Sequence, residues 1–224
     1  MTKDIRLAGW AGIASFVTGA AVVLLTGTPA QPYPSWKWTD QQITDHFAVQ
    51  QTNVTVQFYL ANFGFALVVW LAAGVKRALR TDSRPSVYTS LIVPCALAQA
   101  VTLQQTNGMW WVAALRDLPP DRARLAYELS IAVGYTAVHF FMAFMLFATG
   151  MAMRRSSAFP RRLTTITPWV AIPVMSGTFF LLDKDGRLAP TTLYSLSAYL
   201  TFYAWVLAAG IALVRIPAEG TPES

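Results

Sequence analysis

The sequence predicts an all-α integral membrane protein: a six-helix transmembrane bundle, one polytopic domain over residues 1–224, with N- and C-termini cytoplasmic. Three observations carry this. Of the residues 54% are hydrophobic and only 12% charged, and the mean hydropathy is +0.42, too apolar and too poor in charge for a soluble domain. Apolar runs recur at about 7–25, 54–75, 87–106, 125–153, 165–182 and 193–214, and about 20 such residues cross a hydrocarbon core of ~30 Å. The basic residues gather in short segments between those runs and sort by side.

That sorting sets the orientation. With loops assigned alternately, one side holds Lys3, Arg6, Lys76, Arg77, Arg80, Arg84, Arg154, Arg155, Arg161, Arg162 and Arg215, eleven in all. The other holds six: Lys37, Arg116, Arg122, Arg124, Lys184 and Arg187. The positive-inside rule puts the eleven in the cytoplasm and the aromatic first loop outside. Asp40, Asp45, Asp117, Asp121, Glu128, Asp183 and Asp185 fall on or near the outer side. The formal net charge of +6 therefore reflects orientation, not nucleic-acid binding, since no soluble face collects it. Cys95 is the single cysteine, so no intrachain disulfide and no Cys/His metal site can form; it reads as a small core hydrophobe.

Each element has its own signature. The first span follows Lys3 and Arg6 and is longer than a signal-peptide core. Gly9, Gly12, Ser15 and Gly19 follow at three- or four-residue steps, a small-residue edge for close helix packing. The longest loop, from Gly27 to about Thr52, opens with proline and aromatics, and Tyr33, Trp36 and Trp38 suit the headgroup level. Thr39 or Asp40 then caps a short helix with Ile43 and Phe47 on one side, His46 being solvated or interfacial.

The second span begins with Asn53, Thr55, Gln57 and Asn62, whose polar groups need partners or water at membrane depth. Asn53 and Gln57 share a face and Asn62 points nearly opposite. In the third segment Cys95, Gln99, Thr102, Thr106 and Trp110 form one stripe, and the helix either persists to about Leu115 or breaks near Asn107–Gly108. Pro120 with Asp121 suits the start of the fourth helix. Pro168 and Pro173 kink the fifth, and the sixth carries Tyr194, Ser197, Thr201 and Trp205 on one side.

The candidate chemistry centres on the fourth span. Glu128, Tyr135 and His139 stand at offsets of seven and eleven residues, one stripe at about 100° per residue. At about 1.5 Å per residue His139 lies about 16 Å from Glu128, near the bilayer middle, with Glu128 at the outer boundary. The catalytic candidates are His139, Glu128 and Tyr135, because a neutral imidazole can hand on a proton and a carboxylate at the outer mouth can act as general base. The ligand-binding candidates are Gln99, Asn53, Gln57, Trp110, Asp183 and Tyr194.

Structural alternatives stand beside each: His139 bonded to Gln99 or Tyr194, Glu128 paired with Arg124 at i−4, Asp183 and Asp185 in a turn, and Tyr194 in an aromatic belt. No metal is expected, since the acidic turn lacks calcium-loop spacing, and no cofactor, since no histidine pair within the spans could hold a haem; a haem held by His139 alone or bridging two subunits stays open. Ser176–Gly177 lacks a glycine-flanked nucleophile motif.

The function expected from this pattern is binding of a lipophilic small molecule with a polar end, in an outward-facing polar cavity within the membrane. Its enzyme version is cofactor-free acid–base catalysis of the isomerase or cyclase type. The alternatives are a small proton-coupled transporter or channel, or an accessory membrane subunit. The expected partners are the lipid bilayer and that molecule, with no nucleic acid; self-association as a homo-oligomer stays open. The expected location is the cell membrane, as a multi-pass protein of a bacterial inner or cytoplasmic membrane.

Overall fold

A computed structural model describes residues 2–26, 34, 37–82, 86–116, 118–182 and 193–216. Asp183 and Asp185 lie outside these residues, as do the side chains of Tyr135 and Tyr194. The elements in chain order are α1 (Thr2–Thr26), α2 (Asp40–Val49), α3 (Gln51–Asp82), α4 (Val87–Leu115) and α5 (Pro120–Leu129). A π-helical segment (Ser130–Tyr135) joins α5 to α6 (Thr136–Met153), and α7 (Arg161–Ser176) continues as a 3-10 segment (Gly177–Leu182) before α8 (Leu193–Val214).

Among the described residues five helices are long and apolar enough to cross a membrane: Lys3–Val22, Gln51–Arg80, Val87–Leu115, Pro120–Met153 and Ser197–Val214. The remaining apolar stretch, expected as the fifth span, is 16 residues of α-helix followed by six of 3-10 helix, with Pro168 and Pro173 inside it. Each proline removes a backbone N–H and crowds the carbonyl four residues earlier, so this stretch does not continue as one regular helix.

Six elements close a ring. α1 packs on α3 and α8, α3 on α4, α4 on α6, α6 on α7, and α7 on α8. Leu71, Leu79, Met142, Met145, Leu146, Phe202 and Val206 fill the middle as part of one apolar cluster. The small-residue edge of α1 works as expected: a Cβ on Gly9 would stand 2.7 Å from the carbonyl oxygen of Gly210, and one on Gly12 would stand 2.9 Å from Leu71 Cδ1. Only glycine allows these backbones so close. Ser15 Oγ donates to the carbonyl of Gly64 at 2.8 Å, so the one buried hydroxyl of that edge is satisfied across the seam.

α4 runs unbroken past Asn107–Gly108 to Leu115. An added Cβ on Gly108 would meet nothing within 4 Å. That glycine serves neither a break nor a close contact, and the helix continues through it.

The π-helical segment corrects the expected stripe on the fourth span. One i→i+5 turn absorbs an extra residue, which rotates everything after it by about 100° relative to an uninterrupted helix. Glu128 before the segment and His139 after it therefore do not project from one face, and Tyr135 sits at the segment's own end. The irregularity falls where Gly134 presses its backbone against Thr106 of α4.

Candidate functional site

The polar residues at the α2–α5 end of the bundle are held by local hydrogen bonds. Thr39 accepts from the Gln42 backbone N–H and Gln42 returns the bond to the Thr39 N–H, a capping box that starts α2. α2 then buries Ile43 and Phe47 against Val54, Trp110, Tyr127 and Ile131. Trp110 Nε1 donates to Ser130 Oγ, Ser130 Oγ donates to the Tyr127 carbonyl at 2.6 Å, and the Tyr127 hydroxyl donates to the Pro34 carbonyl.

Arg124 ties the arrangement together. Its Nε donates to Glu128 at 2.9 Å, and a terminal nitrogen donates to the Trp38 carbonyl at 2.7 Å and to Asp40 at 2.9 Å. Glu128 is thus engaged in the i, i+4 ion pair that was its structural alternative. Asn53 Nδ2 donates to Gln50 Oε1 at 2.7 Å at the head of α3, and Gln57 is half-buried one turn further on. Among the described residues, Glu128, Trp110 and Asn53 therefore belong to the cap of the bundle.

His139 and Gln99 lie much deeper, and both are completely buried. Starting from the Thr106–Gly134 contact, seven residues of α4 and five residues past Gly134 each descend roughly 8–10 Å at about 1.5 Å per residue, which brings Gln99 and His139 to one depth. The imidazole meets the Tyr199 ring edge-on, centroids 4.7 Å apart, which turns it toward α8. Gly177 also lies against it, where an added Cβ would stand 2.7 Å from Nε2. Neither amide atom of Gln99 has a hydrogen-bond partner among the described residues. A buried primary amide in that state costs about 1–3 kcal/mol.

A cavity of ligand size lies elsewhere. A groove of about 560 Å³ runs between α6 and α7, lined on one wall by Ala143, Phe144, Phe147, Met151 and Arg154 and on the other by Pro168, Trp169, Ala171, Ile172, Met175, Ser176 and Phe179. Its rim residues Phe144, Phe147, Trp169, Ile172 and Phe179 are exposed on the lateral surface. The groove exists because a close helix contact at one place is followed by a stretch without one. A Cβ on Gly150 would stand 2.5 Å from Pro168 Cδ, so this pair pins the crossing. Past it the aromatic side chains hold the helices apart, and the backbone leaves the α-helical course at Gly177.

Arg154 is the one charged residue of the lining, and the Ser176 hydroxyl donates to the Pro173 carbonyl at 2.7 Å. From residue 143 to residue 154 the groove covers eleven helical steps, about 16 Å, or about half of a hydrocarbon core of ~30 Å. The groove's deep end at Ser176 adjoins Gly177, the residue that covers His139.

Phe144, Phe147, Met151 and Arg154 advance by three, four and three residues, a bulky stripe that ends in an arginine. That stripe was the available signal for a wall, but only its facing helix makes it a groove. Among the described residues no group of three or more His, Cys, Asp or Glu side chains stands close enough to hold a metal ion. Compared with protein-family models, curated proteins and solved structures, the chain matches none of them.

Proposed function

We propose that this multi-pass membrane protein binds a lipophilic molecule in the groove between α6 and α7, taking it sideways from the bilayer. One observation carries the reading: an apolar cleft of about 560 Å³, of ligand-pocket size, whose exposed rim is aromatic and aliphatic. The outward-facing polar cavity expected from the amides and acids is not the favoured site, because Glu128, Trp110 and Asn53 are already engaged at the cap, by Arg124, Ser130 and Gln50. An isomerase- or cyclase-type reaction would rest on His139 as its acid–base group, with Glu128 held by Arg124.

In this reading α7 and its 3-10 continuation make the sixth crossing, and the basic-residue asymmetry places both termini in the cytoplasm. Reporter fusions at Ser157 and at the C-terminus should both report a cytoplasmic position; an extracytoplasmic signal from either contradicts it. The ligand reading is tested by solvent extraction of purified protein and mass spectrometry. Wild type should yield one lipophilic species in stoichiometric amount, and Ile172→Trp, which fills the groove from its exposed rim, should lose it. Equal recovery from both proteins would overturn the proposal.

A second reading, a small transporter, has its own support in Gln99, an amide without a hydrogen-bond partner among the described residues at the depth of His139. The groove reading expects Gln99→Leu to leave ligand recovery intact and to be neutral or stabilising, since it removes unsatisfied polar atoms. Solute flux into proteoliposomes that disappears with Gln99→Leu would favour transport.

A further inference from the structure

Building on the groove reading, we infer that the occupant is an anionic phospholipid of the leaflet on the arginine-rich side, one acyl chain lying between α6 and α7 and its phosphate received by Arg154. The dimensions fit one leaflet: the groove descends about 16 Å from Arg154, from the interface to about the middle of a core of ~30 Å. Its opening is lateral, through the exposed Phe147, Trp169 and Ile172, which is the side from which a lipid arrives. Its lining is apolar along the descent apart from Ser176, whose hydroxyl donates to the Pro173 carbonyl, and charged only at the end where a headgroup would sit.

Charge complementarity selects an anion over a zwitterion. Arg154, Arg155, Arg161 and Arg162 stand at that end, and among the described residues none of them has an ion pair. By contrast, Arg77 holds Asp4 at 2.9 Å, and Arg124 holds both Asp40 and Glu128. Arg155 is turned away, over the Tyr88 ring of α4 at 5.9 Å, which leaves Arg154 as the guanidinium in the groove lining. A planar guanidinium offers paired donors to phosphate oxygens, a geometry that a lysine ammonium does not reproduce.

Native mass spectrometry of the full-length protein in detergent, supplied with equimolar phosphatidylglycerol and phosphatidylcholine of identical acyl chains, tests this. Wild type should retain one phospholipid with about a fivefold preference for phosphatidylglycerol, the weight of about one arginine near an anionic surface. Arg154→Gln should bring the two lipids to near parity, whereas Arg80→Gln, an exposed arginine on the same side but on another helix, should keep the preference. Both are surface changes, and an unaltered thermal midpoint verifies folding.

Parity in wild type, an unchanged preference in Arg154→Gln, or an equal loss in Arg80→Gln would overturn the anionic inference while the groove itself stood. Retention of both lipids by Ile172→Trp at the wild-type level would instead overturn the groove reading, and this inference with it.

Discussion

Two helix seams of this bundle are built on opposite rules. Between α1 and its neighbours, Gly9 lies against Gly210, Gly12 against Leu71 and Gly74 against Ala8, contacts repeated turn after turn until no room remains. Between α6 and α7 one such contact, Gly150 on Pro168, is flanked by Phe144, Phe147, Trp169 and Ile172, and the next, Gly177 on His139, lies at the groove's deep end. Repeated small residues zip a seam shut, because without a hydrophobic force between helices in lipid the packing itself must hold them. One small contact among bulky ones makes a pivot with a cleft beside it. The first seam supplies stability; the second supplies a site.

The largest expected effect breaks the closed seam. Gly9→Leu would drive a side chain into the Gly210 carbonyl and Val214, where atoms already stand within 3 Å of a Cβ. A loss of about 3 kcal/mol, the upper part of the overpacking range, should show as a lower thermal midpoint. Gly108→Ala is the control: its Cβ meets nothing within 4 Å, and replacing a mid-helix glycine there should raise stability by about 0.5–1 kcal/mol.

Gly177→Ala should follow in size. Its methyl group falls on the His139 ring, and a destabilisation of about 1–3 kcal/mol is expected, relieved in the double variant His139→Ala/Gly177→Ala. A double variant no more stable than the simple sum of its parts would contradict the contact.

The cap formed by α2 and α5 should yield a smaller and local effect. Arg124→Gln removes the group that joins Glu128, Asp40 and the Trp38 carbonyl. Faster proteolysis of the first loop with a nearly unchanged midpoint is expected. The same cap should respond to acid through His46, which stacks edge-on with Trp38 and Phe47. Burial holds its imidazole below the ordinary 6.5, so docked α2 favours the neutral form. As pH falls below 6.5 the undocked state takes up a proton first, and docking weakens until docked His46 itself titrates. Loop proteolysis should therefore quicken on acidification, and His46→Gln should flatten that dependence.

The smallest effect on stability belongs to the open seam. Ile172→Trp enlarges a side chain that is 60% exposed, so the midpoint should move by no more than about 0.5 kcal/mol while the groove fills.

Much of this architecture could be read from residue patterns that act locally. The Gly9–Gly12–Ser15 edge, the Thr39 cap with Ile43 and Phe47 beneath it, and the Arg124–Glu128 pair each depend on spacings within one helix turn or two. Long-range consequences were less accessible. A period of 3.6 residues carries straight past the π-helical segment at Ser130–Tyr135, so Glu128 and His139 read as one stripe although the backbone rotates between them. The third helix, open between ending and continuing at Asn107–Gly108, continues because one mid-helix glycine costs only about 1 kcal/mol. The groove was hidden for a different reason: Arg154 reads as a loop cation and Pro168 as a kink until the Gly150 contact brings their helices together.

Photolabelling tests the central claim most directly. Protein reconstituted with phosphatidylglycerol bearing a diazirine on its acyl chain is irradiated, digested and mapped by mass spectrometry. The groove reading predicts adducts concentrated at Phe144, Phe147, Trp169 and Ile172, reduced to background by Ile172→Trp. Labelling spread equally over the exposed lateral residues Trp10 and Val17 of α1 and Tyr59 and Phe63 of α3 would contradict it, because the α6–α7 seam would then be ordinary lipid-facing surface.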